Sequence, residues 1–149
     1  MAASSVTVSQ TVEARTLPNG AVVLLGRFLF ALIFLLAVPS HFSQQTIALA
    51  TSQGVPLAHV AVPASGILAL LGGLSILLGY RVKFGAWLIV LFLLPVTFMM
   101  HKFWGISDPV AAQTQMALFM KNIALVGGAL FISQFGAGPL SLDSRSSRR

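Results

Sequence analysis

Four apolar blocks decide what this chain can fold into: residues 21–39, 57–79, 84–100 and 116–135. Each is close to the roughly 20 residues that cross a hydrocarbon core as a helix. In lipid every backbone N–H and C=O needs a partner within the protein. Without the alternation of barrel strands, blocks of this length meet that need only as helices. The sequence therefore predicts an all-α integral membrane four-helix bundle. Composition agrees, with 56% hydrophobic and 8% charged residues and a mean hydropathy of +0.90. The bilayer is the first partner. The tails, 1–20 and 136–149, are read as polar and basic cytoplasmic extensions of a membrane domain over 21–135.

The same composition excludes several function classes. There is no cysteine, so disulfide relays and thiolate metal sites are absent, and no other metal-ligand spacing occurs. The net charge of +6 is scattered between apolar blocks, with no basic stripe to follow phosphates, so no nucleic acid is expected. No acid lies within a span, which disfavours a carboxylate-relay pump. Ser107, His101 and Asp108 share one loop without a nucleophile elbow.

Lysine and arginine set the direction. Arg15, Arg81, Lys83, Arg145, Arg148 and Arg149 fall on one side and Lys102 alone in the loops of the other, so both termini are read as cytoplasmic. Arg27 and Lys121 lie inside spans, and side chains lean toward a helix N-terminus. Arg27 is thus expected to reach the cytoplasmic interface and Lys121 the outer one. The first block is expected to remain as a span because a polar stretch precedes it and Arg27 interrupts it.

The loop SHFSQQTIALATSQGVP predicts a short interfacial helix between spans one and two. Asp108-Pro109 reads as an N-cap followed by proline at the first helical position. Small residues on span two (Ser65, Ala69, Gly72, Gly73) and span four (Ala124, Gly127, Gly128) are expected to let helices approach closely. On span four, Gln113, Ala117, Lys121, Ala124 and Gly128 are expected to face the bundle. The outer half collects His41, His59, His101, Lys102, Trp104, Asp108, Lys121, Asn122 and five prolines. Pro95 has no N–H for the Leu91 carbonyl, which needs another partner such as the Thr97 hydroxyl. Together these predict a polar, outward-facing cleft, although each histidine also reads as an ordinary interfacial side chain.

The ordered set LLGRFLFALIFL, GVPL, ALLGGLSILLGY, TFMMHKFW, FMKNIALVGGALFI and GPLSLD, spanning about 24–143, resembles the DoxX family of small four-helix membrane proteins. The chain has Ala69 where members often carry a glutamate, and Ser40-His41 where they often carry a lysine. The resemblance implies a bacterial-type inner-membrane protein acting as a membrane subunit of a quinone-linked redox complex, with quinone as a non-covalent cofactor. On that reading Phe103 and Trp104 flank the ring, His41 or His101 exchanges protons, and Lys121 with Asn122 beside it completes the cleft. A small-solute or lipid transporter and a scaffold for protein partners or a homo-oligomer stay open as alternatives.

Overall fold

The computed structural model describes residues 3–146, with side chains from Gly20 onward. Its order is α1 (Ala3–Ala37), a 3-10 turn (Val38–Phe42), α2 (Gln44–Ser52), α3 (Ala58–Leu78), α4 (Val82–Met100), α5 (Pro109–Phe135) and α6 (Leu142–Ser146). No strand occurs among the described residues. Four segments are long and apolar enough to cross a membrane: Gly20–Phe42, Ala58–Leu78, Val82–Met100 and Pro109–Phe135. Arg148 and Arg149, part of the orientation argument, lie outside the described residues, as does the side chain of Arg15.

Neighbours in sequence are neighbours in space: α3 packs against both α1 and α4, and α4 also packs against α5. The core runs along the middle pair. Ala69 and Ile76 of α3 and Ala86 and Ile89 of α4 are fully buried, joined by Ala31 of α1 and Ala129 of α5. Outward faces carry Leu25, Leu29, Trp87 and Phe131. In a bilayer those faces meet acyl chains, which leaves close packing and polar contacts to hold the helices together.

Small residues bring α3 and α4 together. A Cβ at Gly72 would lie 2.8 Å from Ile89 Cδ1 and 3.0 Å from the Gly85 carbonyl oxygen, while one at Gly73 would lie 3.0 Å from Leu35 of α1. The corresponding residues of α5 behave otherwise. Gly128 lies against Phe30, but nothing stands within 4 Å of a Cβ at Gly127, and Ala124 is exposed. Lys121, Gln113 and Ala117 are exposed too, so of the stripe expected to face the bundle only Gly128 does so. The buried positions of α5 are instead Asn122 and Ala129.

The chain forms two unlike ends. The loop end holds α2 and the long α4–α5 loop. There Asp108 accepts a hydrogen bond from the Ala111 N–H (3.0 Å) and Pro109 opens α5, while Ser43 caps α2 through the Thr46 N–H (3.2 Å). Both caps satisfy donors that a helix start leaves free. The tail end holds the α3–α4 turn and the segment after α5.

Arg27 is the main departure from expectation at the tail end. It points to that end but is buried rather than exposed there, and its guanidinium donates to the carbonyls of Ala137 (2.8 Å) and Leu140 (2.7 Å). Its Nε is the one buried side-chain nitrogen or oxygen without a partner among the described residues. Gly79, at φ +65°, closes over it so tightly that a Cβ there would collide with the guanidinium. The returning chain also supplies a cap from a distance. The Asp143 carboxylate accepts from the N–H groups of Arg81 (2.8 Å) and Val82 (3.2 Å) at the start of α4, and the Asp143 N–H donates to the Gly79 carbonyl (2.9 Å).

Candidate functional site

A cavity of about 440 Å³ lies at the loop end between α2, α3 and α4. Its size falls within the roughly 300–1,000 Å³ typical of small-molecule sites. Helical periodicity builds the walls. On α4, Leu91, Pro95 and Met99 recur every fourth residue beside Phe92, Val96 and Met100; on α3, Ala61, Ala64, Ser65 and Leu68 face them; Ala50, Val55 and Pro56 close the end.

The wall is apolar. Ser65 is its only side chain with a hydroxyl, amide or charged group, and that hydroxyl donates to the Val62 carbonyl at 2.7 Å. None of the six side chains expected to line a polar cleft borders this space. Lys121 is exposed on α5, Asn122 is buried on the same helix, and the two do not point the same way. Phe103 and Trp104 pack edge-on at 5.3 Å, and both meet Phe119 of α5, at 5.5 and 6.1 Å. These aromatics bind the α4–α5 loop to α5.

The histidines are likewise separated. His101 Nδ1 is 3.0 Å from Gln115 Oε1, a contact between the end of α4 and the start of α5. His41 Nδ1 is 2.9 Å from the Ala37 carbonyl oxygen. A carbonyl can only accept, so His41 carries a proton on Nδ1. Its ring is in edge contact with Phe92 of the cavity wall, 5.5 Å between centroids, and its Cβ occupies the space over Gly66. Phe92 thus lies in the cavity wall and also touches the His41 ring. No group of three or more metal-ligating side chains occurs among the described residues.

The arrangement can take an apolar molecule into a space that stays open along Leu91 and Pro95, and it has no charged group to hold an ion. This space was hard to see in the sequence, where its residues look like ordinary span residues. The signals are Pro56 and Pro95, two of the five prolines of that half, which sit in the wall.

The DoxX family model matches residues 22–102, more than half the chain. The chain belongs to the DoxX family. The match includes every element that forms the cavity and ends where α4 leaves the bundle, so α5 and the returning tail lie beyond it. No curated protein and no solved structure matches the chain.

Proposed function

We propose that this DoxX family member is a membrane subunit of a quinone-linked redox complex, acting with a protein partner rather than as a stand-alone enzyme. The observation that carries this reading is the apolar cavity of about 440 Å³ among α2, α3 and α4. A quinone is an apolar ring that accepts and releases electrons and protons, and Phe92, Leu68, Val96 and the two methionines offer it an apolar, polarizable wall. His41 touches Phe92 but does not border the cavity, and a phenyl ring carries no exchangeable proton, so protons would reach a bound quinone by another route.

Protein extracted in mild detergent should carry quinone, and Ala64→Phe, which puts a ring into the cavity, should reduce the quinone content at least fivefold while leaving the helical circular dichroism unchanged. Equal quinone in both proteins would count against the reading. A second reading, storage or passage of a lipid without redox chemistry, is favoured by the lack of charged groups in the wall. It predicts phospholipid or glyceride, not quinone, in the same extract.

We place the protein in a bacterial-type inner membrane with both termini cytoplasmic, because Arg81, Lys83 and Arg145 are exposed at the tail end. In intact cells an impermeant thiol reagent should label Ser107→Cys at the loop end and spare Ser146→Cys. The reverse pattern would invert the topology.

A further inference from the structure

Hydrogen-bonding capacity in the cavity is one-sided. Its backbone N–H groups are committed: the helical ones to their own helices, Ala61 N–H to the Leu57 carbonyl (2.9 Å), and Val55 N–H to the Ala50 carbonyl (3.0 Å). The Ser65 hydroxyl proton is committed to Val62. Acceptors remain. Pro95 has no N–H to give the Leu91 carbonyl. A helical carbonyl points toward the residue four positions on. Leu91 and Pro95 both line the cavity, so this carbonyl lies on the face between them. The Thr97 hydroxyl does not relieve it, because it donates to the Leu93 carbonyl at 2.6 Å. The Ser65 oxygen, having donated, still has lone pairs, and Ser65 lines the same space.

An apolar space equipped with acceptors and no free donor favours a ligand that brings its own O–H. A carbonyl oxygen from a ligand would find nothing to bond and would lose its hydration. We infer that this cavity recognises an apolar ring through a hydroxyl donated to the Leu91 carbonyl, so that it holds the hydroquinone in preference to the quinone. This rests on the quinone reading above and adds a selectivity to it. By linkage, the bound couple is harder to oxidise than the free one.

The test uses purified full-length protein in nanodiscs, under anaerobic conditions, with duroquinone, durohydroquinone and the hydroquinone dimethyl ether measured by equilibrium dialysis. Durohydroquinone should bind at least tenfold more tightly than either of the others. Pro95→Ala restores an N–H for the Leu91 carbonyl and replaces a helix breaker with a helix former, so it should fold and bring the preference to within threefold. Equal binding of quinone and hydroquinone, both abolished by Ala64→Phe, would overturn this selectivity while leaving the quinone site standing. Binding of neither form would overturn both. A tenfold preference undiminished in Pro95→Ala would overturn the role of the Leu91 carbonyl. Displacement of durohydroquinone by an equimolar diacylglycerol would assign the site to a lipid hydroxyl instead and overturn the quinol assignment.

Discussion

Arg27→Met should loosen the whole tail end and cost about 2–5 kcal/mol of stability, read as a lowered midpoint in thermal or detergent-induced unfolding. The reason is what the guanidinium holds. Arg27 is 3% exposed, and its two charge-assisted hydrogen bonds go to the carbonyls of Ala137 and Leu140. Methionine fills much of the volume but leaves both carbonyls unpaired, and a buried polar group left unsatisfied costs about 1–3 kcal/mol. The loss should spread along the returning chain. Asp143 stands three residues beyond Leu140 and caps α4 through Arg81 and Val82, so freeing 137–140 also unseats that cap. Asp143→Ala alone should cost only about 1 kcal/mol, as for an ordinary helix cap. Arg27→Lys should fall between these, because an ammonium supplies charge without the planar fork that reaches two carbonyls. Limited proteolysis gives a second readout: the segment after Phe135 should be cut much faster in Arg27→Met. Wild-type stability and protection in that variant would show that the tail is held by other contacts.

This contact shows where the sequence was legible and where it was not. The spans follow from hydropathy over about 20 residues, a local property, and the expected 57–79 and 84–100 lie beside the observed Ala58–Leu78 and Val82–Met100. The interfacial helix and the Asp108 cap are local as well. Arg27 is different, since its partners lie more than a hundred residues away and are backbone carbonyls, which carry no signature in sequence. The buried face of α5 is hidden in the sequence for another reason. In lipid both the inner and the outer faces of a helix are apolar, so hydrophobic periodicity does not point inward as it does in water. Small residues then had to stand for the buried face, and Ala124 and Gly127 turn outward. A charge avoids lipid, so the sequence alone turns Lys121 inward. However, α5 is 27 residues long, roughly 40 Å at about 1.5 Å per residue, so its first turns extend past a core about 30 Å thick. A lysine on its outer face can therefore reach the interface by snorkelling.

Gly85→Val should be at least as damaging as the loss of Arg27, because it acts where α3 and α4 come closest. A Cβ at Gly85 would run into the side chain of Ser75 and stand 3.2 Å from the Gly72 carbonyl oxygen. Ser75 has little freedom to move aside, since its hydroxyl donates to the Tyr80 carbonyl at 2.6 Å and holds the α3–α4 turn. Gly72 cannot yield either, because it faces the fully buried Ile89. The helices must therefore separate, and in a bilayer no hydrophobic force pulls them back together. Overpacking of this kind costs about 1–3 kcal/mol in a core that can adjust, and here it meets a backbone carbonyl and a tethered hydroxyl together. Expected results are poor recovery of folded protein and a midpoint lowered beyond that of a comparison substitution, Gly127→Val, which meets nothing within 4 Å. That pair separates close packing from helix propensity, since both replace a helical glycine with the same residue and Gly85, in the first turn of α4, is where the propensity cost is the smaller. If the two variants were equally stable, the α3–α4 contact would not be what holds the bundle, and the cavity walls that depend on it would need another support.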